Sequence, residues 1–288
     1  MKKNVRLFLG LALLLFVSLG CSKDSESAVV PEEENKDAEL EWELVFEDNF
    51  EGTAYNAQNW ASYQTQPWAS AWNKYVVPND ASLAEVKDGA LHMRARWNEE
   101  TDLPETGAIQ SKGKYSMKNG KLEVRAKFTR SGKGAWPAIW LMPENPVYNG
   151  WPDCGEIDVM EHLNTDAFVY QVIHQSETEG KELKPAPSVT AKIDLNDYNT
   201  YGIIKSENLI EFQVNGETTL TYKKDNRNGN RWPFETDFYI ILNYACADKG
   251  TSGVYFWPGN VTDTSGFPYE MAIDYVKVWE VKEDAGEN

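Results

Sequence analysis
The sequence predicts an all-β fold, a jelly-roll sandwich of two antiparallel sheets. Three observations carry that expectation: short β-branched or alternating runs recur from Trp42 onward, turn residues punctuate them, and long amphipathic helical patterns are missing. In chain order, "ALHMRARW" (90–97) and "KLEVRAKF" (121–128) bring apolar side chains to one face at every second position. "EIDVM" (156–160), "FVYQVIH" (168–174) and "TYGIIKS" (200–206) are β-branched runs of strand length. "LIEFQVNG" (209–216) enters a hairpin, "QVNGETTLTY", because a two-residue loop needs positive φ at both central positions and Asn215-Gly216 supplies it readily. "FYIILNYA" (238–245) and "AIDYVKVW" (272–279) complete the series. Many such strands at regular spacing fit two packed sheets in one domain, residues 42–282, followed by a tail at 283–288.

The composition of the 288 residues, 41% hydrophobic and 12% aromatic, is that of a core-forming chain. Eleven Trp exceed what a core needs; about half are expected as core filler, and the others as sites for flat or ring-shaped ligands. The formal charge of −17 argues against nucleic acid or anionic lipid as a partner, since phosphate binding needs a basic face. With only His92, His162 and His174, and no cluster of metal-site spacing, neither a zinc centre nor a His-based hydrolase triad is supported. No cofactor is required by this reading; oxygen ligation of a structural calcium stays open.

The N-terminus carries a basic "MKKNVR" and an apolar "LFLGLALLLFVSLGC", the layout of a secretory signal over residues 1–20. The boundary Gly20-Cys21 resembles a bacterial lipobox, with Ser18 standing where Leu is usual, and implies lipidation at Cys21 and anchoring to the outer membrane. "SKDSE" after it resembles the surface-export signal of Bacteroidetes lipoproteins, and the acidic, Pro-containing segment up to Glu41 reads as a solvated tether over 21–41. In an exported chain Cys154 and Cys246 are either a disulfide or two buried thiols, and the sequence leaves both open.

The stretch "GEIDVMEHLN" (155–164) puts Glu156, Asp158 and Glu161 into a strand-like run. Strand alternation sends Glu156 and Asp158 to one face, with Ile157 and Val159 to the other, the core. Glu161 then has core parity, which is costly for an unpaired charge, unless a β-bulge near Val159-Met160 returns it to the open face. With the bulge the two glutamates lie ~13 Å apart at Cα, and inward-leaning side chains bring their carboxyls within ~5 Å, the separation of a retaining glycosidase pair. Asp158 between them separates the acidities of its neighbours, so that one can act as nucleophile and one as acid. A solvated strand face or a cation site is the competing reading of the same carboxylates.

"GKGAWPAIWLMPENPVYNGWPDCGEIDVMEHLN" (132–164) closely resembles the signature of glycoside hydrolase family 16, with its W-P-A-x-W strand and bulged E-I-D-x-M-E strand. "TGAIQSKGKYSMKNGKLEVRAKF" (106–128) looks like the family's paired strands, and "AIDYVKVWE" (272–280) like its closing strand. The resemblance implies a jelly roll whose concave sheet forms an open catalytic cleft for an internal stretch of polysaccharide. It makes Glu156 the nucleophile, Asp158 the assisting carboxylate and Glu161 the general acid/base. Trp136 and Trp140 match sugar-stacking or cleft-floor positions, Trp151 lies close by, and His174 matches a histidine beside the nucleophile. A monomeric, surface-anchored endo-β-glycosidase is the resulting expectation. A non-catalytic glycan-capture lipoprotein would use the same Trp without needing Glu156 and Glu161.

Two segments depart from the family's β-1,3-glucanase pattern. The strand after the catalytic one reads "VYQVIHQSE" (169–177) instead of an H-G-T-x-H type, and "NYACADKGTSGVYFWPG" (243–259) replaces the glycine-rich N-x-A-x-G-G-x-W-P-G. The altered strand looks more like gut-bacterial members that cut galactose-containing host glycans, mucin-type O-glycan or poly-N-acetyllactosamine. The substrate expectation is therefore split between these glycans and a laminarin-like β-1,3/1,4-glucan.

Overall fold
The computed structural model describes residues 41–65, 72–224, 231–250 and 257–282. The expectations for the signal, Cys21, the tether up to residue 40 and the tail at 283–288 lie outside the described residues. In chain order the strands are β1 (Trp42–Asp48), β2 (Ala61–Ser62), β3 (Ala84–Lys87), β4 (Ala90–Asn98), β5 (Leu103–Thr106), β6 (Ala108–Gln110), β7 (Gly120–Arg130), β8 (Ala135–Pro143) and β9 (Glu156–Glu161). They continue with β10 (Phe168–His174), β11 (Ser176–Thr178), β12 (Lys181–Glu182), β13 (Ser188–Lys192), β14 (Asn199–Lys205), β15 (Leu209–Val214), β16 (Glu217–Lys223), β17 (Phe238–Cys246) and β18 (Tyr269–Val281). Each of the strand-like runs read from the sequence lies in one of these elements, and the β15–β16 hairpin turns at Asn215 and Gly216 with φ of 52° and 80°.

Two large antiparallel sheets result. One runs β16-β15-β14-β7-β18-β4-β3, with β1 joining β18 and β5 joining β4; the other runs β13-β10-β9-β8-β17-β6-β2. Their facing sides form the core. Leu122, Val124 and Ala126 of β7 and Val276 and Val278 of β18 meet Ile139 and Leu141 of β8, Ile157 of β9, and Ile240 and Leu242 of β17, all fully buried. The Val, Leu and Ile side chains among them gain about 1.5–3 kcal/mol each on leaving water. β7 and β18 alternate buried and more exposed positions, because their outer side is wet. β17 is buried at every position, so its outer side is covered too.

That cover identifies the second side of the seven-stranded sheet as more than a solvated surface. Ala138, Trp140, Tyr239 and Ile241 form a separate small apolar cluster there, against which Tyr63, Trp72 and Met142 pack. Cys154 and Cys246 are two separate buried thiols, which resolves the question of a disulfide between them.

Candidate active site
β9 lies between β8 and β10, and its pairing breaks at one place. Trp140 sits opposite Asp158 and Ala138 opposite Glu161, while on the other side Val172 faces Asp158 and Tyr170 faces Glu161. Val159 has a register partner on neither side, so it is the extra residue of a β-bulge. Consequently Val159 and Met160 both enter the core, fully buried, and Glu161 returns to the side that carries Glu156 and Asp158. The carbonyl of Val159 is satisfied by the Nε2 amide of Gln171, which donates to it at 2.9 Å from the middle of β10. Gln171 is itself fully buried and accepts a hydrogen bond from the Thr219 hydroxyl. At the start of the strand, Gly155 holds φ +81°, and Pro233 Cγ lies 2.8 Å from where a Cβ would stand, so only glycine fits before Glu156.

The three carboxylates meet different partners. Glu156 is half-buried, and its Oε2 accepts the Trp151 indole N–H at 2.9 Å. Asp158 is 3% exposed, with Oδ2 3.2 Å from His174 Nε2. Glu161 is 8% exposed and accepts the Trp136 indole N–H at 2.7 Å. His174 Nδ1 lies 2.6 Å from Glu182 Oε1, so both ring nitrogens face carboxylates.

Burial and then the charge of Asp158 push both glutamates above the ordinary carboxylate range, Glu156 well above and Glu161 to about 8. The Trp136 hydrogen bond and the charge of His174 work against the rise at Glu161. Burial acts to lower His174, but Asp158, Glu156 and Glu182 overcome it and raise the imidazole to about 10. At neutral pH the cluster therefore holds a protonated Glu161 and a charged His174.

The structure sorts the predicted aromatic residues. Trp140 is 6% exposed, donates to Asn243 Oδ1 at 2.7 Å and is covered by Trp72 at 4.8 Å, so it is floor and offers no free ring face. Trp136 is half-buried on the same side of β8, beside Glu161. Trp151 is 55% exposed, with its ring 5.6 Å from that of His174.

Sequence reasoning missed several residues of this face. Tyr170 opposes Glu161 and packs edge-on against Trp257, 49% exposed, at 5.1 Å, and against Phe168 at 5.3 Å. Phe168, Tyr170 and His174 share one parity in "FVYQVIH", a signal that was available; nothing local marks Glu182 or Asn243. His92 and His162 lie elsewhere: His92 pairs with Glu270 at 3.1 Å, and His162 is buried against Phe128.

Among the described residues, Glu156, Asp158 and His174 are the one group close enough to surround a metal ion, their ligand atoms lying within 4.8 Å of one another. A cation there would compete with the contacts that His174 makes. Both nitrogens of His174 are already engaged by Asp158 and Glu182, and the carboxylates are compensated by that imidazolium.

The family model for glycosyl hydrolases family 16 matches residues 54–276. The keratan-sulfate endo-1,4-β-galactosidase of Sphingobacterium multivorum is 39% identical over 85% of this chain, which spans 56% of that relative's length. The catalytic domain of an endo-1,3-β-glucanase (laminarinase) from Thermotoga petrophila RKU-1 superposes with a TM-score of 0.71 at 28% identity, over 85% of this chain and 100% of that one. A structure from work on endo-acting O-glycanases, expressed by prominent members of the human gut microbiota to initiate mucin breakdown, gives 0.72 at 26% identity, over 83% and 100%. A match over that much of the chain, including the bulged strand just described, places it: the chain belongs to glycosyl hydrolases family 16.

Proposed function
We propose that this chain is a retaining endo-β-glycosidase acting on galactose-containing glycans. The observation that carries the reading is the projection of Glu156, Asp158 and Glu161 from one bulged strand onto one aromatic-lined face. Glu156 attacks the anomeric carbon while Glu161 gives its proton to the leaving oxygen, so the glycosidic C–O bond breaks as the enzyme ester forms. Water then attacks the same carbon, Glu161 takes up its proton, and the Glu156 ester bond breaks. Two inversions retain the β-configuration.

The environment of each group supports its role. Glu161, raised to about 8, is protonated at neutral pH, as the acid must be before cleavage. Glu156 must be ionised to attack, and the proton it shares with Asp158 passes to Asp158 as the bond to carbon forms. Before the attack the imidazolium of His174, 3.2 Å from Asp158 Oδ2, offsets the charge of that carboxylate.

Identity to the keratan-sulfate enzyme is higher than to the laminarinase, 39% against 28%, and the strand "VYQVIHQSE" departs from the glucanase motif in the same direction. Laminarin-like β-glucan is the second reading, supported by the laminarinase likeness. A panel of laminarin, mixed-linkage glucan, agarose, keratan sulfate and mucin glycans decides between them by the new reducing ends formed. On an activated aryl β-glycoside, Glu156→Ala with azide is expected to give the α-glycosyl azide, and Glu161→Ala the β-azide. The opposite products would exchange the two roles, and binding without cleavage of any panel member would leave only glycan capture. We also propose that the chain acts as a monomer at the outer membrane, exported and anchored through lipidated Cys21, on the basic start, apolar run and Gly20-Cys21 boundary of its sequence.

A further inference from the structure
The hairpin of β11 and β12 follows His174 directly and folds back over it. It is pinned at its first residue and at its turn by Asp153, 6% exposed, which accepts hydrogen bonds from the Ser176 hydroxyl and the Gly180 N–H and pairs with Arg231 at 3.1 Å. The Leu183 N–H closes the fold onto the Gln175 carbonyl at 2.8 Å. This scaffold delivers Glu182 to the far nitrogen of His174, at 2.6 Å, while the near nitrogen meets Asp158 at 3.2 Å.

We infer that Glu182 is a positioning residue of the reaction, holding His174 in its doubly protonated form so that the imidazolium compensates Asp158 beside the nucleophile. The inference rests on the proposed glycosidase reading of the cluster. The groups facing His174 are Asp158 and Glu156 from β9, Glu182 from β12 and the neutral ring of Trp151; Lys184 bonds the outer oxygen of Glu182. A positive His174 flanked by two carboxylates is a stable arrangement, whereas a neutral imidazole can donate to only one of them. Loss of its proton would strand the negative charge of Asp158 next to Glu156, whose ionisation the attack requires.

Glu182→Gln separates charge from placement, because the amide oxygen still accepts from Nδ1–H. The chain has only three histidines, so the ring nitrogens of His174 can be followed by long-range proton–nitrogen correlation in the folded protein. In the wild type His174 is expected to stay doubly protonated to about pH 10. In Glu182→Gln it should lose its proton about 1–3 pH units lower, the shift produced by removing one adjacent charge. Where the proton is lost below the Glu161 titration at about 8, the alkaline limb of kcat/KM should move down with it, at little change in KM. Glu182→Asp should restore part of the shift, and Glu182→Gln added to His174→Asn should cost nothing further. An unchanged His174 titration in a folded Glu182→Gln protein overturns the inference. The titration needs no substrate, so its outcome stands apart from failure of the glycan panel.

Discussion
Gln171→Met should damage catalysis from the core side of the sheet. Methionine has nearly the same length and removes both the donor to the Val159 carbonyl and the acceptor for Thr219, while filling the space. The Thr219 hydroxyl keeps a second partner, the Phe212 carbonyl at 3.1 Å, so its loss is small. The Val159 carbonyl lies in the core beside a strand that cannot pair it, and leaving such a group unsatisfied costs about 1–3 kcal/mol. For a domain of this size that corresponds to a fall in melting temperature of roughly 2–10 °C. The strain falls on the bulge, which returns Glu161 to the outer side of the sheet, and a misplacement of about 1 Å at a reacting group is worth up to ~100-fold in rate. Differential scanning calorimetry and steady-state kinetics on the cleaved glycan should therefore show a lower Tm together with kcat reduced about 10- to 100-fold at similar KM. Thr219→Val, which removes the hydroxyl's bonds to Gln171 and to the Phe212 carbonyl but leaves the amide's bond to Val159, should leave kcat near wild type. A Gln171→Met enzyme with reduced Tm but unaltered kcat would refute the coupling between the amide and the placement of Glu161.

The remaining predictions concern charge and attachment. Trp136→Phe removes the indole N–H that holds Glu161 down, so the Glu161 pKa should rise above about 8 and the alkaline limb of kcat/KM should move to higher pH; an unmoved limb would show that Trp136 does not tune the acid. Glu161 at about 8 and His174 at about 10 both bind protons more tightly folded than in an unfolded chain, where they titrate near 4.3 and 6.5. The folded state therefore holds more protons across roughly pH 4–10, stability falls as pH rises through that window, and Glu161→Gln should flatten its lower part in thermal unfolding scans. Finally, metabolic labelling with a palmitate analogue should tag the wild-type chain and spare Cys21→Ala; equal labelling of both would sink the anchor.

Strand positions were legible because a period of two survives in the residues themselves, as in "KLEVRAKF", where Leu122, Val124 and Ala126 face the core. The bulge was legible for the opposite reason, since Glu161 breaks that period. A second violation marked the same point and went unread: Gln171 occupies the core parity of β10 between Val169 and Ile173, buried beside the bulge, with its side-chain amide on the Val159 carbonyl. Each polar residue alone looks like an error in alternation, but together they describe one device, a carboxylate turned outward by an extra residue and an amide that satisfies the carbonyl freed by it. What could not be read is whatever depends on distant segments closing over the sheet. Trp136 and Trp140 share a strand and a parity, yet Trp140 is sealed by Trp72, which arrives from far upstream, and only the folded chain distinguishes them. Glu182 was hidden in the same way, because its importance comes from a hairpin that folds back on His174 and not from its place in the sequence. Local period therefore reports where a catalytic strand must deform, while the groups that set its charge enter from loops, where spacing carries no periodic signal.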